Sequence, residues 1–216
     1  MRRVGILGGM GPEATVLILQ KLLAAVPAQD DADHIPVIVD QNPQVPSRIR
    51  HLLEGSGPDP APVLAEMARR LVAGGAEALA MPCNTAHHYA PAIRAAVTVP
   101  FLDMIALSVR HARALVPQGQ SAIGILASPA VQKVGLFDAA LAKEGLTAFY
   151  PSTPEAMLAA IRQIKAQGPS ATARQALRDA SQKLRIRDAE LENHENEFKE
   201  KLAERKREEE LLRRNE

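Results

Sequence analysis

Short apolar runs alternate along most of the chain with longer segments that carry apolar residues at helical spacing. The runs Val4–Leu7, Ile35–Val39, Glu77–Met81, Val97–Phe101 and Ala122–Leu126 are largely unbroken by polar residues. Unbroken runs of this length are typical of parallel strands that are covered on both faces. The alternation of such strands with helices predicts an α/β fold built on parallel sheets.

Helix signals follow these runs, and several helices have recognisable ends. Pro12 suits a first helical position, and Gly74 and Gly75 suit a helix stop. Ser152–Glu155 is a capping sequence for a late helix. In chain order, the segments predicted as helices are Ala14–Leu23, Pro62–Ala73, a segment starting near Cys83, Leu136–Glu144 and Thr153–Ala166.

The last residues of the chain differ from the rest. The tail, residues 184–216, has no Gly or Pro, and its interleaved acidic and basic residues favour i,i+4 pairs on a helix. Leu184, Leu191 and Phe198 are spaced by seven, but the companion heptad positions are mostly acidic. The tail is therefore predicted to be a charged helix and a poor coiled coil.

Composition narrows the possible partners and cofactors. A formal net charge of +1 and 3% aromatic residues give neither the basic field nor the stacking platform that nucleic-acid binding needs. A single cysteine, Cys83, excludes an intrachain disulfide and a thiolate zinc cluster. One of His87 and His88 is expected to pack and the other to face solvent, without metal-ligand spacing. No apolar run reaches the length of a signal-peptide core or a membrane span, so we predict a cytoplasmic protein.

Three stretches fall at the carboxyl ends of predicted strands, where open α/β sheets bind their ligands. They are Gly8–Gly11, Asp40–Arg48 and Cys83–Thr85. Free backbone N–H groups at a helix start favour the thiolate form of a cysteine. The same groups, with the Asn84 and Thr85 side chains, can hold a carboxylate. Such a site suits removal of a proton from the carbon next to that carboxylate.

Each candidate also has a purely structural interpretation. Cys83 is equally well placed as a buried packing residue. Gly8–Gly11 fits a tight turn, because it lacks the spacing of a dinucleotide-binding loop. Arg48 fits a surface position, and Lys165 fits a favourable charge near a helix C-terminus.

Taken together, five stretches resemble the aspartate/glutamate racemase family, the pyridoxal-phosphate-independent amino-acid racemases. They are GILGGMGPEAT, DHIPVIVDQNPQVPSR, MPCNTAHH, VPFLDMI and GLFDAALAKEGLTAFYPSTPEAMLAAIRQIKAQG. The resemblance covers roughly residues 3 to 183. It implies two pseudo-symmetric α/β domains, 1–103 and 104–183, with the active site in the cleft between them. It further implies a homodimer that acts without a cofactor on a small amino acid, Asp or Glu.

The resemblance also implies a two-base mechanism and the residues that serve it. One cysteine thiolate removes the α-proton, and a second cysteine on the opposite face returns it. Cys83 matches the first of these catalytic residues. The residues that match substrate-binding positions are Met10, Arg48, Asn84, Thr85 and Lys165.

The chain departs from the family pattern in its second half. The family's second cysteine follows the helix that here ends near Lys183, and in this chain the charged tail begins there instead. The missing strand is expected to leave a sheet edge or a core face uncovered. Three functions stay open: a racemase with another second proton donor, a single-thiol enzyme of arylmalonate decarboxylase type, or an inactive relative that binds small carboxylates or a partner.

Overall fold

The structure is a computed structural model that describes residues 1–168 and 170–184. The described residues form two parallel sheets against which helices pack, and this confirms the α/β prediction. Apart from Leu184, the predicted charged tail lies outside the described residues and stays a prediction. None of the helices in the described part of the chain is long and apolar enough to cross a bilayer.

The first sheet comes from the first half of the chain, a term used for residues 1–103, and the second half begins at residue 104. Its strands are β1 (Val4–Gly8), β2 (Val37–Gln41), β3 (Ala78–Ala80) and β4 (Phe101–Leu102), in the order β2-β1-β3-β4. Every pair of neighbouring strands is parallel. The α-helices of this half are α1 (Pro12–Ala25), α2 (Arg48–Leu52), α3 (Ala61–Ala73) and α4 (Ala90–Ala96), with 3₁₀ helices at Asp31–Asp33 and Thr85–Tyr89.

The second sheet has two described strands, which are also parallel. They are β5 (Ala122–Gly124) and β6 (Thr147–Phe149). The helices of this half are α5 (Met104–Leu115), α6 (Pro129–Lys133), α7 (Leu136–Ala142) and α8 (Pro154–Gln167). A further helical stretch covers residues 171–184 and buries Ala173, Ala180 and Leu184.

The burial of β1 explains its unbroken apolar sequence. The strand lies between β2 and β3, and both α1 and α3 pack against it. Ile6 and Leu7 are completely buried, although they point to opposite faces of the strand. A strand with both faces covered needs apolar residues at consecutive positions, and this is the pattern in the sequence.

Each sheet has its own apolar cluster. The cluster of the first sheet is built on one face of α3 together with the strands and α4, and its fully buried members include Leu7, Leu64, Met67, Leu79 and Ile93. The cluster of the second sheet joins α5, α6 and α7, and its members are Ile105, Val109, Val131, Phe137, Leu141 and Leu146.

Several boundaries differ from those that the sequence predicts. The predicted strand Val97–Phe101 is wrong over most of its length, because β4 begins only at Phe101. Pro100 has no N–H, so it takes part only through its carbonyl, which accepts from Leu79 N at 2.8 Å. The predicted cap at Thr153 is also wrong in detail, because its side chain makes no capping hydrogen bond.

Candidate active site

One cavity of about 280 Å³ is lined by all six residues singled out in the sequence. It lies at the carboxyl ends of strands from both sheets, because its walls include the loops that follow β1, β2, β3 and β5. Helices α6 and α8 complete the second half's side of the cavity. Its lining residues are Met10, Ser47, Arg48, Ile49, Cys83, Asn84, Thr85, Leu126, Ala127, Ser128, Val131, Ile161 and Lys165.

The glycine loop after β1 brings Met10 to the cavity. Gly9 has a φ of +90° and packs so closely on Asn42 that a Cβ would collide with the Asn42 backbone. Its N–H donates to the Oγ1 of buried Thr15 at 3.0 Å, which ties the loop to α1. The loop therefore serves as a tight turn that places the Met10 carbonyl and side chain.

Arg48 is held beside the cavity by backbone carbonyls. Its Nη1 donates to the carbonyls of Val45 at 3.1 Å and Pro46 at 2.9 Å, and its Nη2 donates to the Met10 carbonyl at 3.4 Å. A guanidinium has five N–H donors, so these three bonds orient the group and leave donors for a carboxylate. Arg48 is half-buried, not a free surface arginine.

Cys83 is half-buried on the first half's side of the cavity. The predicted helix does start next to Cys83, but it is a 3₁₀ helix of five residues, and α4 begins only at Ala90. Pro91 has no N–H to donate to the His87 carbonyl, so an α-helix cannot run through this turn. The charges that face Cys83 therefore come mainly from side chains and not from a long helix dipole.

His87 fixes the backbone of the Cys83 loop to the second half of the chain. Its Nε2 accepts from Met104 N at 3.1 Å, so Nδ1 carries the ring proton and donates to the Cys83 carbonyl at 2.8 Å. Burial lowers the pKa of His87 and keeps the ring neutral. The expectation that one histidine packs and the other faces solvent is confirmed, because His87 is 4% exposed and His88 is exposed.

The second half of the chain supplies the opposite side of the cavity. Ser128, which follows β5, places its Oγ 3.3 Å from the Oγ1 of Thr85 and so links the two halves. Lys165 lies in the last turn of α8, which packs on α6. Ser128 and Lys165 are the polar side chains on this side of the cavity.

Lys165 lines the cavity although much of the residue is exposed. Burial of its ammonium group, followed by the positive charge of Arg48, lowers the pKa of Lys165 below its ordinary value. A thiolate at Cys83 opposes this shift, which shows that the thiol lies within electrostatic range of the amine. The cavity thus combines one thiol with two cations. Among the described residues no cluster of three or more His, Cys, Asp or Glu could hold a metal ion.

Several residues that line the cavity were not among the predicted site residues. Ser128, Val131 and Ile161 come from the second half, where the sequence carries no motif of polar residues at a strand end apart from Ser128 itself. Ser47 also lines the cavity, and it caps α2 by accepting from Arg50 N at 3.3 Å. A Ser directly before Arg48 is a recognisable N-cap signal, so this residue could have been found.

Comparison with known proteins gives a family match and similar solved structures. The model of the Asp/Glu/hydantoin racemase family matches residues 7–191. An aspartate racemase from Picrophilus torridus is 25% identical, with a TM-score of 0.76, over 86% of this chain and 77% of its own. A candidate Asp/Glu racemase from Yersinia pestis is 25% identical, with a TM-score of 0.65, over 87% of this chain and 82% of its own. An aspartate racemase homologue from Pyrococcus horikoshii OT3 has the same fold at 21% identity and a TM-score of 0.56, over 76% and 70%.

The parallel sheets and the cavity at their carboxyl ends define a class of α/β protein whose solved members include aspartate racemases. The chain belongs to the Asp/Glu/hydantoin racemase family. This confirms the family that the sequence motifs indicate.

Proposed function

We propose that the protein is a cofactor-independent racemase of a small acidic amino acid, aspartate or glutamate. The observation that carries the proposal is a cavity that brings a thiol, Cys83, together with two cations, Arg48 and Lys165. Its volume of about 280 Å³ lies below the roughly 300–1,000 Å³ of sites for drug-sized ligands, so a small substrate suits it. The membership of the chain in a racemase family supports the same reaction.

In the proposed reaction the Cys83 thiolate takes the α-proton of the substrate. The electron pair that remains is delocalised into the carboxylate, and the developing charge needs fixed positive groups nearby. The oriented N–H donors of Arg48 suit that carboxylate, and Lys165 adds a second positive charge. The hydroxyl of Thr85 and the amide of Asn84 line the same space and can bind further polar groups, while Met10 limits its size.

The test of this proposal is a stereochemical assay of the purified chain with L-Asp, D-Asp, L-Glu and D-Glu. We expect the chain to interconvert the two enantiomers of one of these amino acids, which chiral chromatography detects. We expect Cys83→Ser to abolish this inversion. A thiol-to-hydroxyl change removes an acidic group with almost no change in shape. Inversion by Cys83→Ser at the wild-type rate would contradict the proposed role of the thiol.

The single cysteine favours one other reaction, a one-thiol proton transfer of the arylmalonate decarboxylase type. In that reaction the thiol protonates a carbanion formed by loss of carbon dioxide, and no second thiol is needed. Release of carbon dioxide from phenylmalonate, without inversion of any amino acid, would favour this reaction over racemisation. An inactive member of the family would instead bind aspartate without either reaction, and a rise in melting temperature would detect that binding.

The proposal includes a cytoplasmic homodimer. Its support is the exposed apolar side of α1, where Val16, Leu17 and Leu23 are 51%, 53% and 59% exposed. In α1 only Thr15 is buried, although the helix is apolar over most of its surface. A helix with this composition is expected to be covered, and a second copy of the chain would cover it.

A further inference from the structure

The geometry points to Lys165 as the second acid/base of the proposed reaction, the group that delivers a proton to the face of the substrate opposite Cys83. The inference rests on the proposed racemase function. It assigns the second proton-transfer group, for which that proposal names no residue. Racemisation needs a proton donor and a proton acceptor on opposite faces of one carbon. The chain has only one cysteine, so a second thiol from the same chain cannot fill this role.

The two groups come from opposite sides of the cavity. Cys83 lies in the loop after β3 of the first sheet, and Lys165 lies on α8, which packs on α6 of the second half. A small substrate in the cavity therefore lies between the thiol and the amine. Both side chains line the same cavity of about 280 Å³, so one small substrate can contact the thiol and the amine together.

Lys165 is the only titratable residue that the described part of the second half contributes to the cavity wall. Ser128 also lines that side, but an aliphatic hydroxyl releases its proton far less readily than an ammonium group. Arg48 comes from the first half and is tied to three carbonyls, and a guanidinium is too weak an acid to serve as a proton donor. Burial and the charge of Arg48 lower the pKa of Lys165, which eases the release of its proton.

The proton transfers balance in each direction. In one direction the Cys83 thiolate removes the α-proton and becomes a thiol, and the electron pair of the C–H bond passes into the carboxylate. The Lys165 ammonium then gives a proton to the opposite face of that carbon and becomes a neutral amine. In the other direction the neutral amine removes the α-proton and the Cys83 thiol returns one. Exchange with solvent resets the two groups.

The test compares two measurements for each enantiomer of aspartate and glutamate. NMR measures exchange of the α-proton in D₂O, and chiral chromatography measures inversion. We expect Lys165→Met to lower inversion by about 100- to 10,000-fold, the range of a lost general acid or base. In this variant one enantiomer still exchanges its α-proton through Cys83 without inversion. In Cys83→Ser the other enantiomer keeps exchange, through Lys165.

Lys165→Arg separates proton transfer from charge. The guanidinium keeps the positive charge but cannot lose its proton, so we expect KM to stay close to the wild-type value while inversion is lost. Lys143→Met is the matched control, because Lys143 is a lysine of the same half that does not line this cavity, and it should keep full inversion. Far-UV circular dichroism and melting temperature check that each variant folds.

Two outcomes overturn the assignment while leaving the racemase proposal intact. One is inversion by Lys165→Arg within about tenfold of the wild-type rate, since a guanidinium cannot act as the base. The other is equal loss of exchange from both enantiomers in Lys165→Met, which would make Lys165 a substrate-binding residue only. Absence of exchange and inversion in the wild-type chain would overturn the proposed function itself, and the assignment with it.

Discussion

At the scale of single residues, the surroundings of Cys83 decide between chemistry and packing. The thiol is half-buried and lines a cavity that Arg48 and Lys165 also line. A thiol that only filled space would be enclosed by apolar side chains, as free cysteines commonly are. The cavity instead places two cationic side chains, Arg48 and Lys165, on the same walls as the thiol.

We expect Cys83 to react with iodoacetamide at pH 7, because alkylation needs the thiolate. Mass spectrometry after timed labelling measures the rate, and the chain has no other cysteine to confuse the count. Arg48→Ala should slow labelling by removing one of the two cations. Lys133→Ala is the control, because Lys133 bonds the Leu53 carbonyl and does not line the cavity. Labelling that begins only above about pH 9 would contradict the catalytic role.

His87 gives a second prediction at this scale, a loss of stability in mild acid. The pKa of His87 in the folded chain is lowered mainly by burial, and the charge of Arg94 lowers it further. The hydrogen bond to the Cys83 carbonyl and the charge of Asp103 act in the opposite direction. The unfolded chain takes up a proton near pH 6.5, whereas the folded chain takes it up only at lower pH. The contribution of His87 is therefore fully present above about pH 6.5 and is lost as the pH falls below it.

Urea denaturation between pH 5 and 7.5 tests this dependence. His87→Phe leaves the Cys83 carbonyl and Met104 N–H unpaired, so it should lower the free energy of unfolding by roughly 1–3 kcal/mol at pH 7.5. It should also reduce the fall in stability between pH 6.5 and pH 5. His88→Phe, at the exposed neighbour, should keep the wild-type dependence. An unchanged slope in His87→Phe would show that another group is responsible.

At the scale of elements, the junction between the two halves depends on how α5 begins. Asp103 caps α5, since its Oδ1 accepts from Ala106 N at 3.1 Å and its Oδ2 pairs with Arg94 Nη2 at 2.5 Å. The next residue, Met104, donates its N–H to His87. The start of α5 is therefore fixed to α4 and to the turn that carries Cys83.

We expect Asp103→Ala to lower the free energy of unfolding by about 1 kcal/mol through the lost cap, with at most about 1 kcal/mol more from the partly exposed ion pair. Asp103→Asn keeps a capping oxygen and loses the charge, so it should cost less. Thermal and urea unfolding of the two variants separate the contributions. Equal losses in both variants would assign the effect to the ion pair with Arg94 instead of the cap.

The elements that the sequence predicted well are those whose signals are local. Pro12 begins α1 and Gly74 ends α3, because proline and glycine act through their own backbone geometry. The misassigned segments depend on distant partners. A run such as Val97–Phe101 has strand composition, yet only the contact of Pro100 with Leu79 decides where pairing begins.

At the scale of the whole molecule, the cavity belongs to both halves. The bonds from Thr85 to Ser128 and from His87 to Met104 cross from one half to the other next to Cys83. The division into domains at residues 103 and 183 stays a prediction, and each sheet has its own apolar cluster.

The proposed homodimer gives the prediction at this scale. We expect Leu17→Glu combined with Leu23→Glu to convert the dimer into a monomer without unfolding it, because both side chains are on the exposed side of α1. Light scattering coupled to size-exclusion chromatography measures the mass. Leu115→Glu, at an exposed leucine of α5, is the matched control and should leave the dimer intact. A wild-type monomer at micromolar concentration would contradict the proposed assembly.

The sequence by itself determined the alternation of parallel strands and helices, the racemase family and the six candidate residues, because these are encoded in short patterns. Only the tertiary structure decided that Lys165 and Ser128 lie across one cavity from Cys83, that three carbonyls orient Arg48, and that His87 is neutral. Thr85 and Ser128 are 43 positions apart in the chain, and no local pattern records their contact. Burial and charge proximity arise only when the whole chain packs, so the chemistry of the cavity becomes visible only there.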